Sequence, residues 1–352
     1  MDSSKLLDKL IDTVSKEGGS DLHLSEERLP IIRVSGFLIP LVNEKTLTRS
    51  DMEGFLAAML SDVNKKKFSE TKEIDYGYTR GDVRFRCNAF YRLGKISIAM
   101  RLIPKRIRTL QELNLPPVLE MFTKKQQGFF LTVGPAGQGK STTLATLIDM
   151  INQERLEHIV TIEDPIEYLF EPKKAIIDQR EVTIDTEDFH SALWSVFRQD
   201  VDVVMIGEMR DPNTVSAAVT AAETGHLVFS TLHTNTAAQT VDRIIDAFPA
   251  DQQGQIRVQL AGSLAGIFSQ RLIPRISGGL IPAYELLINN YAVANLIREK
   301  RTHELNSVIE TGSEEGMIDL NRSLATHVQN GEITVENAYL YSTNPKSLEK
   351  ML

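Results

Sequence analysis

The chain has 352 residues, 42% of them hydrophobic and 24% charged, the proportions of a folded water-soluble protein. Its length suggests about two or three domains and a core large enough to do without disulfides. Cys87 is the one cysteine, which excludes an intrachain disulfide framework and a Cys-based zinc site. The formal net charge of −8 gives no general attraction to nucleic acid.

The chain opens MDSSKLLDKL, with Asp2, Asp8 and Asp12 among apolar positions. That pattern predicts an amphipathic helix over residues 4–16 rather than a signal peptide, closed at Gly18-Gly19. No apolar run approaches the roughly 20 residues of a membrane span, so a cytoplasmic protein without a transmembrane segment is expected. Strand-like pieces follow at 22–24 and 31–34, then a helical stretch over about 50–68. Two further strands are expected around the turn signals Gly81-Asp82 and Gly94-Lys95. Along the first, Phe85, Cys87 and Ala89 alternate with Arg84, Arg86 and Asn88; along the second, Ile96, Ile98 and Met100 oppose Arg101. A linker with Lys105, Arg106 and Arg108 is read over residues 104–117. From Gly128 the rhythm becomes strand, loop, helix, strand, as in an open and mainly parallel α/β sheet. The tail from about residue 286 reads as short helices.

Residues 134–141 read Gly134-Pro135-Ala136-Gly137-Gln138-Gly139-Lys140-Ser141, matching the phosphate-loop pattern G-x-x-x-x-G-K-[ST]. The apolar run 129–133 before it suits a buried strand. After it, Leu144, Leu147, Ile148 and Ile151 recur at helical spacing. The glycines let backbone N–H groups face phosphate oxygens, and the helix start adds partial positive charge. Lys140 supplies a full charge, the Ser141 hydroxyl can ligate Mg²⁺, and Thr142 continues the same turn. ATP and Mg²⁺ are therefore the expected ligands.

Two acidic clusters follow. One, Thr161-Ile162-Glu163-Asp164-Pro165-Ile166-Glu167, comes directly after an apolar strand over 158–162; the other is Glu208, after the apolar run 203–206. Ligands of open α/β sheets sit beyond the carboxyl ends of strands, so Glu163 and Glu208 are candidates to orient or deprotonate water. Glu208 and Asp164 are candidates to hold the shell of Mg²⁺ through water. Asp211-Pro212 reads instead as a helix start. A strand over 226–232 would deliver His233 to the phosphate side, with His226 at its opposite end; His226 and Arg210 are kept as candidate sensors.

These motifs resemble, in order and over essentially the whole chain, the secretion and type IV pilus ATPases, and among them the PilT-like retraction motors. Ser20-Asp21-Leu22-His23-Leu24, Gly207-Glu208-Met209-Arg210-Asp211 and Thr311-Gly312 with Gly316-Met317 carry the likeness too. So does Asn295-Leu296-Ile297-Arg298-Glu299, which departs from the retraction-motor helix AIRNLIRE at Val293 and Ala294. Ala136, Gln138 and Ser230 stand where Thr, Ser and Gly are more usual. The resemblance implies a PAS-like α+β domain (residues 1–103), a linker (104–120), a RecA-like α/β P-loop ATPase core (121–285) and a helical C-terminal subdomain (286–352). It implies a homohexamer working with an inner-membrane platform protein, peripheral to the cytoplasmic membrane, to retract pili for twitching motility. It makes Glu208 the catalytic glutamate and Glu163 a partner beside the nucleotide. Arg86 and Arg101 become ligands of the phosphates. Extension, type II secretion and DNA uptake remain open within the superfamily. A RecA-type nucleic-acid translocase and a non-hydrolysing accessory ATP-binding subunit remain open as readings of another class.

Overall fold

The computed structural model describes residues 3–81, 83–209 and 211–352. They divide into two compact units. The first is Met1–Arg106 with Asp164–Leu169 and Glu181–Asp185, and the second is Ile107–Glu163, Phe170–Arg180 and Thr186–Leu352. The boundary at Arg106 lies within the stretch read as a linker, and two short later segments join the first unit.

In the first unit, helix α1 (Ser3–Lys16) buries Leu6, Leu7, Leu10, Ile11 and Val14, a stripe of three- and four-residue steps that faces the core. Gly18, at φ 63°, turns the chain, and the Gly19 N–H closes on the Val14 carbonyl at 2.8 Å. Strands β1 (Asp21–Ser25), β2 (Ile31–Val34) and β3 (Phe37–Pro40) follow. The helical stretch expected over 50–68 is two helices, α2 (Arg49–Met59) and α3 (Asp62–Thr71). Leu60 is extended, and the Ser61 side chain accepts from the Asn64 N–H to start a second helix, a cap worth about 1 kcal/mol. The two strands expected near Gly81 and Gly94 are three: β4 (Glu73–Arg80), β5 (Val83–Arg92) and β6 (Lys95–Leu102). The sheet order is β3-β2-β1-β6-β5-β4. Phe85, Cys87, Ala89, Ile96, Ile98 and Met100 all turn into one core with α1 and α2. Burial pushes the Cys87 thiol well up, which makes it a packing residue rather than a nucleophile.

The second unit is built on a seven-stranded sheet. Its strands are β7 (Gly128–Val133), β8 (His158–Glu163), β9 (Ile176–Glu181), β10 (Val203–Ile206), β11 (Leu227–Leu232), β12 (Leu264–Pro274) and β13 (Leu280–Ile288). They lie in the order β13-β12-β7-β11-β10-β8-β9. The run β12-β7-β11-β10-β8 is parallel, and β13 turns back antiparallel on β12. Every residue of β7 and β10 is buried, as strands covered on both faces must be, and this explains their unbroken apolar sequence. Helices α4 (Glu120–Thr123), α5 (Lys140–Glu154), α6 (Phe189–Val196), α7 (Pro212–Glu223), α8 (Ala237–Asp246) and α9 (Gln253–Ser263) are interspersed among the strands in chain order. Asp211 caps α7 as expected: its side chain accepts from the Thr214 N–H, and Pro212 follows at the first helical position.

Beyond β13 come α10 (Tyr291–Arg298), α11 (Leu305–Thr311), α12 (Leu320–Gln329), α13 (Val335–Tyr341) and α14 (Pro345–Glu349). Leu320, Leu324, Ala338 and Leu348 of these helices close a core with Ile273, Ile281 and Ala283 of β12 and β13. The C-terminal helices are thereby fastened to the antiparallel edge of the sheet.

Candidate nucleotide site

The glycine loop lies between β7 and α5. Gly134, Gly137 and Gly139 have φ of 144°, 75° and 80°, a region that residues with a Cβ seldom enter. Helix α5 begins at Lys140, so Ser141 and Thr142 fall in its first turn, where backbone N–H groups have no helical acceptor. Lys140 is 7% exposed, and its Nζ donates to the carbonyls of Gly134 and Pro135, both at 2.8 Å. The ammonium is thus folded back over its own loop, a position from which it can transfer to a phosphate. Leu144, Leu147, Ile148 and Ile151 are buried below it.

The neighbouring parallel strands bring three more side chains to the same end of the sheet. Because β7, β11, β10 and β8 run side by side, their carboxyl ends form one edge. The Gly207 N–H donates to Ile162 O at 2.8 Å and Thr231 Oγ1 donates to Gly207 O at 2.6 Å. A Cβ at Gly207 would lie 3.4 Å from that Ile162 oxygen. Glu208 therefore leaves β10 on a peptide pinned from both sides. Glu163 is buried, and its Oε1 accepts from Thr161 Oγ1 at 2.7 Å and Gln179 Nε2 at 3.3 Å. His233 bridges the group: its Nδ1 is 3.4 Å from Lys140 Nζ, and its Nε2 is 3.8 Å from Glu208 Oε2. The loop, Lys140, Glu208 and His233 are brought together.

One candidate, His226, lies elsewhere. His226 is at the amino end of β11, with Nδ1 3.1 Å from Ala221 O and its ring edge-on to Phe197; there it closes the end of α7. Asp164 belongs to the first unit. Arg210 falls outside the described residues.

Within the first unit, Arg86 and Arg101 are cross-strand partners. Like charges directly opposite each other are unfavourable in a sheet. Here acids offset them: Arg101 Nε donates to Asp21 Oδ1 at 2.9 Å, and Arg86 Nη1 donates to Glu167 Oε1 at 2.8 Å. Asp21 is itself the register partner of both Arg101 and Arg33. Despite burial, bonds from Ser20 and Arg101 hold its carboxyl below the usual range. The result is two neighbouring guanidinium groups, each engaged by a carboxylate. Glu181 ties the same unit together: it pairs with Arg84 and accepts the Gly77 N–H and the Ile166 N–H.

Sequence reasoning passed over Glu285. It sits on β13, and its Oε1 accepts the Ala237 N–H at 2.6 Å at the start of α8. Burial, reinforced by Asp319 and opposed by that bond and by Arg271, raises its pKa from 4.5 to about 7. Between those two values the folded protein keeps a proton that the unfolded chain releases, so stability falls as pH rises and levels off above about 7. The loss is on the order of 3 kcal/mol, at about 1.4 kcal/mol per pH unit. Glu285→Gln keeps the acceptor for Ala237 and removes the titration. Its thermal midpoint is expected to exceed the parent's by several degrees at pH 8 and to match it near pH 4.5; equal midpoints at both pH values would refute this.

A glycine loop between a buried parallel strand and a helix, with a lysine, an acid and a histidine gathered at its mouth, defines a P-loop nucleotide-binding α/β protein. The family model described as type II/IV secretion system protein matches residues 3–330, and the chain belongs to that family. It is 42% identical over 331 residues to the type IV pilus retractation ATPase PilT of Pseudomonas aeruginosa, covering 94% of this chain and 96% of the relative. It is 37% identical to the type IV pilus ATPase PilU of the same organism, over 98% of this chain and 91% of that one. A crystal structure of the pilus retraction motor PilT with bound ADP superposes with a TM-score of 0.90 at 43% identity, over 97% of this chain and 98% of that one. No helix among the described residues is long and apolar enough to cross a membrane.

Proposed function

We propose that the chain is a Mg²⁺-dependent ATPase that works as a subunit of a homohexameric motor for type IV pilus retraction. The observation that carries this is the meeting of Lys140, His233 and Glu208 at the mouth of the glycine loop, in a chain alike over nearly its full length to a retraction ATPase. The ADP bound to the related motor supports an adenine nucleotide as the ligand.

On this reading the residues divide the work. Backbone N–H groups of residues 136–142 and the Lys140 ammonium hold the phosphates. The loop's positive-φ glycines and the helix starting at Lys140 fit a polyphosphate. The hard oxygen donors Ser141, Glu208 and Asp164 suit Mg²⁺, directly or through water; when bound, the ion supplies charge neutralisation. Glu208 orients the attacking water and accepts its proton, Glu163 supports it, and His233 links it to the lysine. Arg86 and Arg101 are assigned the γ-phosphate, on their adjacent placement and the family likeness. The pilus machinery, through a platform protein at the membrane, is the partner.

Deletion of the gene in its native host tests the assignment. Retraction predicts more surface pili than the parent and no twitching, restored by the intact gene. Loss of surface pili would instead make the protein an extension motor.

A further inference from the structure

A glutamine on β12 reaches into the phosphate loop. Gln270 is 3% exposed and lies one residue beyond Ser269, the register partner of Val133 where β7 ends. Its Oε1 accepts from Thr143 Oγ1 at 2.7 Å, in the first turn of α5, and its Nε2 donates to the carbonyl of Gln138 at 2.7 Å. The contact is returned: the Leu272 N–H donates to Gln138 Oε1 at 2.6 Å. The loop is built to this distance. A Cβ on Gly134 would come within 2.5 Å of Gln270 O, and one on Gly139 within 2.9 Å of Gln270 Nε2.

The Gln138–Gly139 peptide is planar, so its C=O and the following N–H point in opposite directions. Anchoring the carbonyl on β12 aims the Gly139 N–H away from the strand, toward the phosphate side. An unanchored peptide could rotate and offer its oxygen to the anion instead. The Thr143 bond fixes the glutamine amide, because an amide whose oxygen is held must present its NH₂ on the other side.

We propose that Gln270 is a positioning residue for nucleotide binding, holding the Gln138–Gly139 peptide so that the Gly139 N–H faces the polyphosphate. The role rests on the nucleotide reading above. It acts before the chemical step, so it belongs to binding rather than to turnover.

The test is ADP titration and steady-state ATP hydrolysis on the full chain, comparing the parent with Gln270→Met, Gln270→Glu and Thr143→Val. Gln270→Met removes both bonds at similar volume, whereas Gln270→Glu keeps the acceptor for Thr143 but sets a carboxylate oxygen against the Gln138 carbonyl. Both are expected to weaken ADP about tenfold, the scale of one or two hydrogen bonds, and to raise KM alike while kcat stays within about threefold. Thr143→Val, which frees the amide alone, is expected to weaken ADP about two- to threefold, the scale of one lost hydrogen bond, and to add nothing when combined with Gln270→Met. Parent-like ADP affinity in the Gln270 variants overturns the proposal. If those variants do not fold, parent-like affinity in Thr143→Val overturns it. A parent chain that binds no ADP refutes the nucleotide reading itself, a separate result.

Discussion

Lys140→Ala is expected to lower kcat/KM for ATP by about a hundredfold or more, the range seen when a fixed charge or donor on a reacting oxyanion is removed. The ammonium is buried, so its field is weakly screened, and it is held over the loop by the Gly134 and Pro135 carbonyls. Alanine removes the charge and leaves those two carbonyls facing the phosphates without an intervening cation. ADP affinity and turnover therefore fall together. Titration and phosphate release on the same preparation check this, with the unliganded thermal midpoint as the control for folding. Hydrolysis at the parent rate in this variant would remove the loop from the chemistry.

The second large effect is confined to turnover. Glu208→Gln keeps the size and hydrogen-bonding reach of the side chain but cannot accept a proton from water at neutral pH. With Gly207 pinned between β8 and β11, the amide occupies the place of the carboxylate. We expect kcat to fall by about 10²- to 10⁴-fold, the usual contribution of a general base, with ADP affinity within about threefold of the parent. A variant that turns over normally would transfer the role to Glu163, whose Oε1 is engaged by Thr161 and Gln179.

What the sequence could convey depended on distance along the chain. The phosphate loop is contiguous and flanked by its own strand and helix, so its eight residues were readable together. Glu208 and His233 were legible because apolar strands end just before them, and a parallel sheet gathers strand ends on one edge. The strand Phe37–Pro40 was not legible: all four of its residues are exposed, so no inward-outward alternation marks it. The break between α2 and α3 turns on one serine side chain, too small a signal within a helical composition. The joining of Asp164–Leu169 and Glu181–Asp185 to the first unit rests on Arg86–Glu167, Arg84–Glu181 and Gly77–Glu181, contacts between residues 81 to 104 positions apart. Periodicity carries no information at that range. Gln270 left a fainter trace, a polar residue inside the buried run of β12, which by itself called for a hydrogen-bonding partner.

The most direct measurement is a crystal structure of the full chain with Mg²⁺ and a non-hydrolysable ATP analogue. The account predicts phosphate oxygens within hydrogen-bonding distance of the backbone N–H groups of residues 137–141, with Lys140 Nζ moved from the Gly134 and Pro135 carbonyls onto them. A nucleotide bound elsewhere, or a Lys140 still folded onto its own loop with nucleotide present, would contradict it.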